Sequence, residues 1–306
     1  MSILFIRHHR RKTIVCCDFH QWSQWSDECC NVLTNGGEEH MDNEKPSHFF
    51  KYRSLEGHAK ERARRTIVNS TIWFAKPEDF NDLFDCSPDF TMAAPAQVFK
   101  QYMKGLPHGQ GPAMNRQALR TKFAEVQQNS PVFLAVMRER TWRSVNEAGI
   151  LSLSTRPDQI LMWSHYAASH TGICLRFGSA PEDFPFRAAQ RVIYCADRPV
   201  LNPILDDAEA IVSKTILSKA DVWAYEDEWR VLSHPGSPVR PGGGHGLITY
   251  APSALNGIIL GARISKADAA DVASWVQGRK YPVALFRAVA DPHRFHLDIV
   301  PIQSGL

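Results

Sequence analysis

No apolar run in this chain approaches the ~20 residues that a membrane-spanning helix requires. The amino-terminal stretch MSILFIRHHRRK carries too short an apolar patch for a secretory signal. A cytoplasmic protein with no membrane partner is the expectation. Neither a P-loop nor a GxGxxG sequence occurs, which argues against a P-loop NTPase and a Rossmann enzyme, and no internal repeat is found. A strong charge of one sign is lacking as well: Lys and Arg number 35 against 32 Asp and Glu, a net charge of +3. That balance is too mild to indicate the clustered basic face of a nucleic-acid binder, so small-molecule, protein and nucleic-acid partners all stay open. The seven cysteines are odd in number and sit in no secretory context, so disulfides are not expected. The pairs Cys16-Cys17 and Cys29-Cys30, with His8, His9 and His20 nearby, lack the C-x2-C spacing by which two thiolates chelate one tetrahedral ion. No metal site is assigned to them.

What is present is the composition of a globular protein: 306 residues, 44% hydrophobic and 22% charged. At ~150 residues per domain the length allows two domains, and one domain with insertions fits equally well. Residues 1–47 read as a poorly ordered leader ending in the Gly- and charge-rich GGEEHMDNEKPS, with Met41 a candidate alternative start. Residues 48–306 read as a single domain. HFFKYRSL reads as a strand, with Phe50 and Tyr52 on one face and Arg53 on the other. An exposed helix is expected over 55–69 and a short strand over 71–75. Asn81, Asp82 and Asp85 then either grip a ligand or close a loop through their own backbone. Helices over 114–128 and 131–146 are expected to form a helical insertion at about 112–147 that covers one side of a cleft. Next come a helix over 206–219, a Gly- and Pro-rich mobile loop over 233–246 and a buried strand over 258–261. A helix capped by Ser265 and Asp268 runs through Val276, and strands over 283–289 and 295–300 form a closing hairpin.

The most informative stretch is Trp223 to Leu232, WAYEDEWRVL. In an extended segment residues i and i+2 share a side, so Glu226 and Glu228 are expected to reach into one cleft while Asp227 faces away. Trp229 to Leu232 then enters the core as a strand. Ordinary acids on a solvated strand end are the plainer alternative. The second stretch, GILSLSTRPDQILMWSHYAASHTGICLRF, places Ser152 and Ser154 on one face of a strand and Leu151 and Leu153 on the other. A helix over 159–168 follows, with Trp163, Tyr166 and Ala167 on one face, and then a buried strand over 172–177. Trp163 and Tyr166 serve either as core aromatics or as flat faces for a ligand ring.

Four pieces, FKYRSL, FNDLFDC, ILMWSHYAASHTGICLRF and YEDEWRVL, within about 49–300, resemble the bacterial family called domain of unknown function 2971, a name that carries no function. The order of elements also resembles the ADP-ribosyltransferase fold: an arginine on the first strand, a Ser-Thr-Ser strand followed by helix and strand, and a Glu-x-Glu pair opening a later strand. The matching positions are Arg53, Ser152-Leu153-Ser154 and Glu226-Asp227-Glu228, with Leu153 departing from the central Thr. The resemblance implies an α+β, ADP-ribosyltransferase-like fold with two small, mostly antiparallel sheets around a cleft, and NAD as substrate. It implies that Glu228 stabilises the oxocarbenium character that builds on the ribose as the nicotinamide bond breaks, that Ser152 holds this carboxylate, and that Glu226 orients or deprotonates the acceptor. Arg53 would neutralise pyrophosphate through its planar fork. Tyr52, Ser54, Asn81, Ser154, Trp163 and Tyr166 are further candidates for binding NAD.

The expected function is therefore transfer of ADP-ribose from NAD to a protein or nucleic-acid acceptor. A toxin or phage-defence setting, with an antitoxin or regulatory partner, attaches to it by resemblance alone. NAD glycohydrolysis by the same site and a non-catalytic binding or sensor module are the alternatives. A metal-dependent nuclease using Glu226, Glu228 and Asp85 is more remote.

Overall fold

The computed structural model describes residues 45–105 and 131–302, together with Gln117 and Thr121. The adjacent cysteine pairs, most of the expected leader and most of the helix expected over 114–128 lie outside the described residues. The end of the expected leader is docked on the domain rather than separate from it. Lys45 Nζ donates to the Arg187 carbonyl, and the Pro46 carbonyl accepts from Ser179 Oγ.

Eight strands form the main sheet: β1 (His48–Arg53), β2 (Gly149–Ser154), β3 (Ile173–Gly178), β4 (Gln190–Arg191), β5 (Glu228–Ser233), β6 (Leu255–Leu260), β7 (Ala284–Ala290) and β8 (Leu297–Pro301). Their order is β8-β7-β6-β3-β1-β2-β5-β4, and every neighbouring pair is antiparallel except β6 with β7. The helices are α1 (His58–Asn69), α2 (Ala96–Gly105), α3 (Pro131–Asn146), α4 (Ile160–Tyr166), α5 (Ala208–Thr215) and α6 (Lys266–Gln277). A parallel pair needs a crossover, and α6 supplies it. Its N-cap, Ser265, accepts from the Asp268 amide at 3.0 Å. The result is an α+β chain. No helix among the described residues is long and apolar enough to cross a membrane.

Both faces of the sheet are covered, and burial of apolar surface is what holds the layers together. On one face Phe49, Leu151, Leu175, Phe177 and Val231 pack with Ala63 and Ile67 of α1 and Val272 of α6. On the other, Phe50, Tyr52, Cys174 and Ile259 pack with Met162 and Trp163 of α4.

The two sheets implied by the resemblance are one, because β1 hydrogen-bonds on both edges. Its edge with β3 is complete, running from His48↔Gly178 to Arg53↔Ile173. Its edge with β2 is a single register pair, Phe50↔Ser154. Beyond Phe50 the two strands part, and Lys51 Nζ enters the gap, donating to the Ser152 carbonyl at 2.5 Å. The far end of β1 is held by a close backbone approach at Gly172, where a Cβ would lie 2.2 Å from the Arg53 carbonyl oxygen.

Two other expectations change. The helix expected over 206–219 stops at Thr215, and Ser218–Ala220 is instead a short strand parallel to Ile193–Cys195. Thr215 and Ile216 are β-branched and stiff at χ1, which weakens the helix where strand pairing becomes available. The loop expected over 233–246 contains a small ribbon, Pro235–Ser237 paired with Arg240–Gly242.

Candidate active site

A cavity of about 900 Å³ opens where β1 and β2 part. Its size falls in the ~300–1,000 Å³ range of small-molecule sites. Its lining carries both the carboxylates of Asp79, Asp85, Glu226 and Glu228 and the cations of Lys51, Arg53, Arg62, Arg65 and Lys219.

Glu228 opens β5 opposite Ser154. Glu226 is not in that strand: Asp221–Glu226 is a 3-10 helix, and Asp227 follows with φ 42°. The two carboxylates therefore do not meet by strand alternation. The left-handed turn at Asp227 folds Glu226 back, and both side chains reach Lys219 Nζ, at 2.5 Å for Glu226 and 2.9 Å for Glu228. Ser154 Oγ steadies the turn by donating to the Glu226 carbonyl at 2.6 Å. Asp227 points elsewhere, to Thr155 Oγ1 and Arg191.

Arg230 lies beneath this pair with no solvent exposure. It donates to Glu228 from Nε at 2.8 Å and Nη2 at 3.0 Å, and to Asp85 from Nη1 at 2.9 Å and Nη2 at 2.7 Å. Nη1 also reaches the Ile216 carbonyl at 2.5 Å, at the C-terminal end of α5, where unpaired carbonyls favour a cation. Burial alone would raise the pKa of Glu228, but Arg230 and Lys219 outweigh it and hold the carboxyl far below the ordinary range. Burial likewise opposes the charge on Lys219, and Glu228 and Glu226 outweigh it, raising its pKa above the ordinary value.

The two carboxylates differ in what they have left to offer. Glu228 receives Arg230 Nε and Nη2, Lys219 Nζ and the Ser152 hydroxyl. Among the described residues Glu226 receives only Lys219 Nζ and, at 2.7 Å, the Tyr166 hydroxyl. A carboxylate has about four lone-pair positions, so Glu228 is filled and Glu226 is half open. Taken together, the carboxylates of Asp85, Glu226 and Glu228 share the cations of Lys219 and Arg230, which gives the cluster a net charge of −1.

Lys51, Arg53 and Arg62 line the same cavity. Arg53 donates weakly to the Tyr52 carbonyl at 3.5 Å and forms no ion pair among the described residues. Burial, then Arg62, lowers its pKa to about 10. Burial, then Arg53, lowers that of Lys51 to about 7, while Glu228 and Glu226 pull the other way.

The remaining candidates divide. Tyr52 lines the cavity, but its hydroxyl is spent on the Arg156 carbonyl. Ser54 lines it and accepts from the Glu56 amide at 3.0 Å. Asn81 and Tyr166 line it and are hydrogen-bonded to each other. Trp163 is excluded from the cavity. It is fully buried, its Nε1 donates to the Pro157 carbonyl at 2.8 Å, and its ring stands edge-on to Tyr52 at 5.2 Å, because α4 presses that face onto the sheet. Of the three acids named for a nuclease, Asp85 and Glu228 are gripped by Arg230, and Glu228 and Glu226 by Lys219.

Sequence reading missed Lys219, Arg230, Lys51 and Arg62. A signal existed for one of them: an arginine inside the apolar run Trp229 to Leu232 requires an acidic partner, since a lone buried charge is not tolerated.

No curated protein and no solved structure matches the chain. Residues 162–231 match the family model described as protein of unknown function (DUF2971), a span that contains Tyr166, Lys219, Glu226, Glu228 and Arg230 and leaves Arg53, Asp85 and Ser152 outside it.

Proposed function

We propose that this cleft binds NAD and transfers its ADP-ribose to a macromolecular acceptor. One observation carries the reading, the polarity of the cavity. The lining joins a carboxylate cluster of net charge −1, in which Glu226 keeps open acceptor positions, to Arg53 and Arg62, which have no carboxylate partner among the described residues. NAD has the matching polarity, a cationic nicotinamide ring on ribose at one end and an anionic pyrophosphate beyond it. Arg53 then offers its planar fork to pyrophosphate oxygens, where a bidentate charge-assisted contact is strongest.

Chemistry at the ribose needs a carboxylate that can touch it. The resemblance assigns that contact to Glu228, but the acceptor positions of Glu228 are filled from within the protein. The geometry favours Glu226 instead, with Glu228 fixing Lys219 and Arg230 behind it. As the bond from C1′ to nicotinamide breaks, its electron pair passes to the ring nitrogen and positive charge grows on the ribose. Glu226 stabilises that charge, and the acceptor forms the new bond to C1′.

Incubation with NAD labelled in its adenosine half, with cell lysate as the source of acceptor, tests the reading. Label fixed to a macromolecule supports transfer. Nicotinamide release with no fixed label indicates hydrolysis by the same site. Neither product would leave a binding module and end the enzymatic reading.

A further inference from the structure

An acceptor loses a proton as it attacks, and the carboxylate cluster is badly placed to take it. Glu228 has no open acceptor position, Lys219 and Arg230 hold their protons, and the transfer reading commits Glu226 to the ribose. Lys51 differs from all of these. Its amine lies where β1 and β2 part, lines the cavity, and among the described residues makes one hydrogen bond, to the Ser152 carbonyl at 2.5 Å. No carboxylate lies within ion-pair distance of it among the described residues, although Glu226 and Glu228 are close enough to act on its charge. Other charged or titratable groups around it are Arg53 on its own strand, Cys174 on β3, Lys219, Arg62 and Arg65 from α1, His165 and Tyr166 from α4, and Asp79 and Asp85.

We propose that Lys51 is a further catalytic residue of this cleft, the base that takes the proton of the attacking acceptor during ADP-ribose transfer. The assignment rests on the transfer reading above. In the step, the acceptor O–H or N–H bond breaks and its proton passes to the Lys51 amine. The freed pair forms the bond to C1′, and the C1′–nicotinamide pair leaves with neutral nicotinamide. Glu228 and Glu226 act on the ammonium so created and offset part of the burial that disfavours it. Desolvation beside Arg53 lowers the pKa of the amine to about 7, and a base whose pKa lies near working pH is the most effective one.

The test is the pH dependence of nicotinamide release, with water as acceptor, from about pH 5.5 to 9. Wild type is expected to lose activity about tenfold per pH unit below neutrality. Lys51→Arg, which keeps a cation in place but cannot act as a base, is expected to lose about 100-fold at pH 8 and to lose the acidic limb as well. Lys51→Ala is expected to regain activity with added alkylamine, in proportion to the free base present, a response that a purely structural lysine would not give. His165→Gln is expected to keep the limb. Retention of the limb in Lys51→Arg, or its loss only in His165→Gln, overturns the assignment while leaving transfer intact. Absence of nicotinamide release from wild type at every pH overturns both.

Discussion

Arg230 grips Asp85 through both terminal nitrogens, at 2.9 and 2.7 Å, in a place that solvent does not reach. Such a pair gains its Coulomb energy only by giving up hydration, so removing one partner costs more than the pair was worth. Asp85→Asn is expected to destabilise the fold by about 3–5 kcal/mol in urea titration, because Arg230 keeps its charge and loses its best acceptor. A joint replacement by apolar residues of matched volume should recover much of that loss. Equal stability of wild type and Asp85→Asn would mean the cluster is wet.

Glu226→Gln and Glu228→Gln are expected to part company. Glu226→Gln should lower the rate of nicotinamide release at least ~100-fold with little change in KM, because the lost contact forms mainly in the transition state, and should leave Tm nearly unchanged. Glu228→Gln should lower Tm as well, since its carboxylate neutralises Arg230 and Lys219. Thermal melts beside initial rates decide it, and the reverse assignment of the two phenotypes would return the ribose contact to Glu228.

Arg53→Ala is expected to weaken NAD binding by about 1.5–3 kcal/mol, the worth of a charge-assisted contact, with turnover at saturation little altered. Calorimetric titration with NAD or ADP-ribose measures it. An unchanged affinity would place the phosphates elsewhere.

Two groups set opposite dependences of stability on pH. The folded pKa of Glu228 is depressed, so its contribution is present in full above its unfolded value of ~4.3 and is lost as pH falls through the acid range. The stability difference between wild type and Glu228→Gln should therefore close below about pH 4. Lys51 has its pKa lowered to about 7, so between there and its ordinary value the unfolded chain binds a proton that the folded chain does not. Stability contributed at this site rises with pH across that interval. Lys51→Met should accordingly stabilise the protein most near neutrality and least near pH 10, its ordinary value being ~10.4.

Much of this architecture was legible from pattern. Ser152 and Ser154 on one face, the strand after Glu228, the Ser265 cap and the closing pair of strands all follow from period and capping chemistry, which act over a few residues. Placement of the site's charges did not follow, because those contacts join distant segments. Asp85 meets Arg230 across 145 positions of sequence, and no local rule reports that. Lys219 was hidden differently: its surroundings read as helix, and only pairing with Ile193–Cys195 turns it toward the acids. The expected approach of Glu226 and Glu228 was right in outcome and wrong in cause, since the turn at Asp227 rather than strand alternation brings them together.

The lone register pair between β1 and β2 makes the sheet two stiff plates joined along a weak seam, with the cavity lying on that seam. Arg53 belongs to one plate, and Glu226 sits beside the leading edge of the other. A molecule gripped by both spans the seam and replaces rungs that the strands themselves do not form. Occupancy should thus be felt mechanically, as slower amide exchange along β1 past Phe50 and along β2 before Ser154, far more than at the outer strands β7 and β8.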